Sequence, residues 1–356
     1  MTWLPQYPRR IKARRPDGHT PRAPRWSATY DRPFTAITAD YIAIQISDEN
    51  DPAVAQFVEL AEQSAAAGTD CPAAYEIVTT AFPAGSIDVV FIGYWTDPTS
   101  HGRWSRTSAL MTWFRELKPK EIYFGAWRET IEVPLDRVET VYSAPERRFG
   151  FAACPGIELG SITTNGYYGA ARDRFPLSAI DELEAPARYE RRRAPAPSRG
   201  TRLRASIGLN ATAIRSGQYW AEATGSQLED YEQELEPKML DGMKHLSSHD
   251  DETGTLSLRI LRGGTPNPAQ KRRETSVVAY FRSLADLEQW AANHATHAAI
   301  YEHAIAKNRQ YGDARTVTTW HEVFLLPEGT HFEYVNCDPS TGVLAFAESL
   351  WEAVDA

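Results

Sequence analysis

Apolar and polar residues change their period along this chain, and the changes mark out its elements. Asp40–Gln45 and Ile87–Trp95 read as strands, the second (IDVVFIGYW) being almost wholly apolar. Between them Pro52–Ala67 has helical spacing, with Val54, Phe57, Val58, Leu60 and Ala61 on its buried side. A helix over Arg103–Leu117 and an extended segment over Ile131–Tyr142, broken at Pro134, complete the first half. The order then recurs. Arg204–Arg215 is strand-like, Trp220–Lys238 helical, Thr255–Arg262 and Ser276–Phe281 strands, Leu284–Asn308 largely helical, and Arg315–Leu326 a final strand.

Individual residues recur along with the order. Tyr94-Trp95 and Trp104 are mirrored by Tyr280-Phe281 and Trp290, and Trp127-Arg128-Glu129 with Pro134 by Trp320-His321-Glu322 with Pro327, at equal spacing. This predicts a degenerate duplication of one strand–helix–strand–strand–helix–strand unit. Two such units can lay their sheets together as a barrel-like core flanked by helices. A tract rich in Pro, Arg and Ala, Glu184–Arg204, links them, and its cluster Arg191, Arg192 and Arg193 reads as a solvated connector. Residues 1–35, rich in Pro and Arg, read as an extended arm lying over the core or a partner subunit. Because Arg128 takes the slot of His321, the first half is expected to be scaffold and the second to carry the working residues.

Composition narrows the class. The 356 residues, 42% hydrophobic and 24% charged, describe a globular protein able to bury a large core. A net charge of −9 argues against nucleic acid as the main partner. No apolar run approaches the roughly 20 residues that span a bilayer, so no membrane partner is expected. The basic N-terminus lacks the apolar stretch of a secretory signal, and a cytoplasmic location is the expectation. Cys71, Cys154 and Cys337 have no CxxC or CxxCH spacing, which disfavours a disulfide framework, a thiolate zinc site and a covalently attached haem.

Candidate chemistry gathers late in the chain. His297 sits at a helix start that Thr296 can cap. His321 shares a strand face with Val317, Thr319, Val323 and Leu325, as a satisfied core residue or as an acid–base group aimed at a bound cofactor. GYYGAARDRFP, residues 166–176, combines glycines with Arg172 and Arg174, either as a surface loop or as a guanidinium turned into a pocket. Ser216 in IRSGQYW reads locally as the end of a strand and the cap of a helix. The pairs His245/His249 and His294/His297 each share a helix face, but neither has the HExxH arrangement.

Taken together, GYYGAARDRFP, IRSGQYW, HATHAAIYEH and WHEVFLLPEGTHFEYVNCDPSTG, with VVFIGYWTDPTSHGRWS upstream, resemble the signature segments of the haem-containing aldoxime dehydratases, in order from about Ile37 to the end. The resemblance implies an α+β fold of two ferredoxin-like repeats (about 37–150 and 203–345) in a single haem-binding domain of the dimeric α+β barrel type, and a homodimer. It also implies ferrous haem b and an aldoxime substrate, dehydrated to a nitrile. Carried onto this sequence, His297 corresponds to the axial iron ligand, with His294 and His303 as rivals. His321 corresponds to the distal catalytic histidine, Ser216 to the serine at the oxime hydroxyl, and Arg174 to the distal arginine. Other haem enzymes of the same superfold, of the peroxidase or chlorite-decomposing type, and a non-catalytic haem sensor are the competing expectations.

Overall fold

The computed structural model describes residues 3–66, 68–81, 86–186, 198–263, 273–347 and 350–352. Its strands are β1 Arg25–Tyr30, β2 Ala36–Ile46, β3 Ala74–Ala81, β4 Ile87–Trp95, β5 Gly125–Pro134, β6 Val138–Tyr142 and β7 Ile157–Ile162. After the linker come β8 Arg202–Ser206, β9 Thr212–Tyr219, β10 Thr255–Gly263, β11 Glu274–Phe281, β12 Thr318–Leu325, β13 His331–Val335 and β14 Leu350–Glu352. The helices are α1 Pro52–Ala66, α2 Pro98–Thr107, α3 Ala109–Glu116, α4 Ala170–Arg174, α5 Gly225–Asp230, α6 Glu236–Ser248, α7 Asp250–Thr253, α8 Leu284–Asn293 and α9 Ala295–Tyr311. The fold is α+β.

Among the described residues the strands form one continuous sheet in the order β14-β8-β13-β5-β2-β4-β3-β10-β11-β9-β12-β6-β1-β7. Within it β5-β2-β4-β3 and β12-β9-β11-β10 have the same internal order: fourth strand, first, third, second. The two runs meet edge to edge where β10 pairs with β3, Leu261 opposite Thr80. One sheet face carries a core drawn from both halves, including Tyr41, Tyr94, Trp127, Tyr280, Trp320 and Tyr334. The other face carries helices. Over the first half Phe57 of α1 and Leu110, Met111 and Phe114 of α3 pack on Ile42, Ile44, Phe91 and Trp95. Over the second, Met239, Met243 and Leu246 of α6 and Leu287 of α8 face Val277, Ala279, Phe281 and Val323.

Local chemistry accounts for the boundaries the periodicity missed. The helix expected over 103–117 begins earlier, at Pro98 behind the Asp97 cap, and is interrupted at Ser108, whose hydroxyl caps α3. The helix expected from Trp220 starts at Gly225, and Tyr231–Leu235 form a π turn between α5 and α6. The strand expected over Arg204–Arg215 is two strands, β8 and β9, parted by a turn in which Asn210 has φ +59°. Ser216 therefore lies in the middle of β9 and caps no helix. The break between α8 and α9 falls at His294, which caps α9 by accepting the Thr296 N–H; Thr296 is not the cap. Arg191, Arg192 and Arg193 lie outside the described residues.

In the N-terminal stretch, β1 pairs along its length with β7 and touches β6 at Trp26–Tyr142. Asp173 accepts the backbone N–H groups of Arg14 and Arg15 as well as the Tyr167 hydroxyl. Gly169, with φ +84°, starts α4 where Arg14 passes; a Cβ there would lie 2.5 Å from that of Arg14. The arm thus fixes the turn that carries Arg174.

Candidate active site

Between the second half's sheet and its helices lies a cavity of about 190 Å³ that opens to solvent on one side. Its walls are mainly apolar, with Met239, Met243, Val277, Leu287, Ile300 and Val323 prominent. The polar groups on them include Ser216, Gln218, Thr275, His297 and His321.

Sheet register places two of these together. Ser216 on β9 and His321 on β12 are direct cross-strand partners, so both side chains emerge on the helix-facing side. Behind them, on the opposite face, the next pair in register is Arg215 and Glu322. Gly217 makes the pairing of β9 with β12 possible at this point, since a Cβ there would lie 2.2 Å from the Trp320 indole nitrogen. Ser216 Oγ has one contact in the described structure, a 3.4 Å donation to the Trp320 carbonyl.

His297 comes from the opposite wall, in the first turn of α9, with its ring edge-on to Trp290 at 4.9 Å. Burial pushes its imidazole down to about 4, with the nearby His321 adding to the effect. At neutral pH it is an uncharged imidazole, the form that binds metals. Its two rivals are engaged elsewhere. His303 bonds Asp230 at 3.0 Å, and His294, besides capping α9, stacks on His245 at 3.7 Å. Among the described residues no group of three or more His, Cys, Asp or Glu side chains is arranged to hold a bare metal ion.

The sequence reading missed Glu139. This buried carboxylate on β6 receives Arg174 in a two-pronged contact, Nε at 2.6 Å and Nη2 at 3.1 Å, and lies 3.2 Å from His321 Nε2. Arg174 Nη2 also approaches His321 Nε2 at 3.4 Å. Burial disfavours the ionised form of Glu139, but Arg174 and His321 outweigh it and hold the carboxyl at about 2. The two contacts at Nε2 are alternatives. A protonated Nε2 donates to Glu139, whereas a bare Nε2 accepts from Arg174, so the ring has a partner in either state. Arg172, the other candidate, points its guanidinium at Glu182 and is not part of this array. Nothing near Glu139 in sequence (VETVY) marks it as functional; only a carboxylate among the apolar residues of a strand hinted at it.

The cavity fits a haem by several independent features. It offers one neutral imidazole from the helix side, a second from the sheet side, and apolar walls between them. Two polar atoms in its lining, Gln218 Oε1 and Trp290 Nε1, are buried without a hydrogen-bond partner among the described residues.

Comparison with known proteins agrees with this reading. The family model for haem-containing dehydratases matches residues 40–343. The aliphatic aldoxime dehydratase of Pseudomonas chlororaphis is 28% identical over 338 residues, covering 95% of each chain. The phenylacetaldoxime dehydratase of Bacillus sp. (strain OxB-1) is 29% identical over 339 residues, covering 94% of each. A crystal structure of an aldoxime dehydratase in complex with butyraldoxime superposes with a TM-score of 0.86 at 28% identity, over 96% of this chain and 94% of that one.

Proposed function

The chain belongs to the haem-containing dehydratase family, and from that premise we propose that it is a haem-dependent aldoxime dehydratase, a lyase converting R–CH=N–OH into R–C≡N and water. The observation that carries this reading is the placing of two imidazoles, His297 and His321, on facing walls of one apolar cavity, with Ser216 in register beside the second. When bound, ferrous haem b would supply an electron-rich iron able to weaken the N–O bond. His297 would hold it through its neutral imidazole.

The remaining work falls to side chains. Hydroxide is a poor leaving group, so the oxime oxygen must gain a proton as N–O breaks. His321 donates that proton and, once neutral, takes one from the substrate carbon, which completes the nitrile and leaves water as the other product. General acid–base catalysis of this kind contributes roughly 10²–10⁴-fold. Ser216 hydrogen-bonds the oxime hydroxyl and holds it toward His321. Arg174 and Glu139 position His321: Glu139 stabilises the protonated ring, and Arg174 supports the ring after proton release.

The two halves with like strand order are ferredoxin-like repeats, about 37–150 and 203–345, in a single haem-binding domain with an N-terminal arm (1–35) and a linker (184–204). Their joined sheets form a barrel of the dimeric α+β type within one chain. The same reading makes the protein a cytoplasmic homodimer.

The decisive experiment is an anaerobic spectrum of the reduced, haem-loaded protein with and without an aldoxime, coupled to nitrile detection. His321→Ala is expected to keep haem and lose nearly all nitrile formation, and His297→Ala to lose haem. Turnover of peroxide or chlorite by the ferric protein, with aldoxime untouched, would replace this reading with a different haem chemistry.

A further inference from the structure

Among the described residues, Arg25 and Arg315 form no salt bridge with an acidic side chain. Arg25, on β1, makes one side-chain hydrogen bond among the described residues, from Nη1 to its neighbour's carbonyl at Pro24 (2.8 Å). Arg315, between α9 and β12, donates to the Ala304 carbonyl at 3.1 Å and to Asn308 Oδ1. By contrast, the buried or partly buried Arg128, Arg174, Arg202, Arg215 and Arg259 each form a salt bridge. Asn308 adds a third unused donor: its Nδ2 is buried with no partner. Burial lowers the pKa of both guanidiniums, and that of Arg315 falls to about 10, with Arg25 nearby adding to the fall and Asp230 opposing it. Two desolvated cations side by side with an idle amide are costly unless an anion completes them.

Register tells where this cluster lies. Trp26 pairs with Tyr142, and Tyr142 with Trp320, so these three residues form one row whose rings face the two-half core. Arg25, next to Trp26, therefore faces the helix side, as His321 does beside Trp320. It stands two strands across from β12, about 10 Å at the usual strand spacing of ~4.8 Å. On the helix wall, Ala304 is seven residues beyond His297, about 10 Å along α9 at ~1.5 Å per residue. Both walls thus carry the cluster to one edge of the space between His297 and His321, past Ile300.

We infer that Arg25, Arg315 and Asn308 form a carboxylate-binding end of the haem site and receive a propionate of the porphyrin. The inference rests on the haem reading above. It fixes which way round the ring sits, because the acidic side chains Glu139 and Glu288 line other parts of the cavity wall and would repel a carboxylate. Guanidinium suits the role, since its planar fork matches a carboxylate with two parallel N–H···O bonds.

The test is a titration of apoprotein with haem b and, separately, with its dimethyl ester, which lacks both negative charges. Wild type is expected to bind the free acid more than tenfold more tightly than the ester. In Arg25→Gln/Arg315→Gln that preference should vanish through weaker binding of the acid, with ester affinity unchanged. A second reading needs no haem affinity: Arg25→Met should raise the melting temperature of the apoprotein, where the cation is uncompensated, and lower that of the holoprotein. Unchanged acid-over-ester preference in the double variant overturns the inference. So does phosphate stabilising the wild-type apoprotein but not the double variant while haem binding stays the same, because the anion would then be a free one. Wild type that binds neither porphyrin would instead overturn the haem reading itself.

Discussion

The two halves build the same sandwich of sheet and helices, but one is filled and the other is hollow. In the first, Ile42 on β2 is flanked in register by Phe91 and Arg128. In the second, Ser216 on β9 is flanked by Val277 and His321. Trp95 and Phe91 pack on Trp104 at 4.8 and 5.9 Å, closing the space over the first sheet. Their counterparts Phe281, Val277 and Trp290 leave room, and methionines of α6 line what remains. The site has been made largely by subtraction: smaller side chains at matched positions open a cavity in a frame whose stability comes from elsewhere.

Restoring the first half's side chains in the second is the harshest test of that idea. Ser216→Ile/Val277→Phe should abolish haem binding and activity while leaving the apoprotein folded and at least as resistant to heat, because buried apolar area is gained. Absorbance titration and thermal unfolding check both parts. A double variant that still takes up haem normally would mean that the cavity is not where the cofactor goes.

Beside each half's sheet a buried carboxylate organises an arginine and a histidine, Asp40 within the first and Glu139, contributed by β6, against the second, and here the contrast is in how completely the acid is occupied. Asp40 accepts from Arg128 (Nε 3.0 Å, Nη2 2.7 Å), Thr130 (2.8 Å) and His101 (2.9 Å), so both oxygens are used and the cluster is sealed. Burial disfavours its charge, but Arg128 and His101 more than offset this and drive its pKa far below the usual carboxylate range. Glu139 has Arg174 and a partly accessible His321. Asp40→Asn should therefore act on stability, costing about 3–5 kcal/mol as a broken buried pair, and leave kcat intact in the folded fraction. Glu139→Gln also breaks a buried pair and should cost stability, but it should in addition lower kcat roughly 10–100-fold, as loss of a charged hydrogen bond worth ~1.5–3 kcal/mol implies. Denaturant melts and steady-state rates on both variants decide it; a stability loss alone in Glu139→Gln would make its carboxylate structural. Because Glu139 is held at about 2, below its ordinary value, its stabilising effect is complete above about pH 4.5 and is lost as pH falls toward 2.

Much of this comparison could be read from the chain. Equal spacing of Trp127-Arg128-Glu129 and Trp320-His321-Glu322 anticipated the like strand order of the two halves, and the helix–strand setting of His297 and His321 pointed to two walls of one site. What could not be read depends on register. Ser216 looked like a helix cap because its stretch read as the end of a strand and the start of a helix; only pairing with β12 shows that Gly217 admits Trp320 and that the serine stands beside His321. Glu139 is 182 residues from His321, and the unpaired state of Arg25 and Arg315 depends on where every acid is not. No periodicity encodes such long-range absences.

The smallest expected effect concerns the pair behind the site. Glu322 follows His321 in sequence as Glu129 follows Arg128, but the two acids differ in company. Glu129 holds Arg259 with two bonds of 2.7 Å and accepts two tyrosine hydroxyls. Glu322 accepts the Tyr94 hydroxyl at 2.7 Å and the Phe151 N–H at 2.9 Å, while Arg215 bonds Glu76. Burial dominates, and the Glu322 carboxyl is pushed up to about 7 despite Arg215 nearby. A raised carboxyl means that the folded protein holds a proton the unfolded chain has released between about pH 4.5 and 7, so this group's contribution to stability declines across that window as pH rises. Glu322→Gln keeps the acceptor oxygen and removes the charge. It should match wild type near pH 4.5 and exceed it at pH 8 by on the order of 1 kcal/mol. Denaturant melts at the two pH values measure this, and a variant that loses stability equally at both would show that Glu322 is charged throughout and that the two halves pair their acids alike.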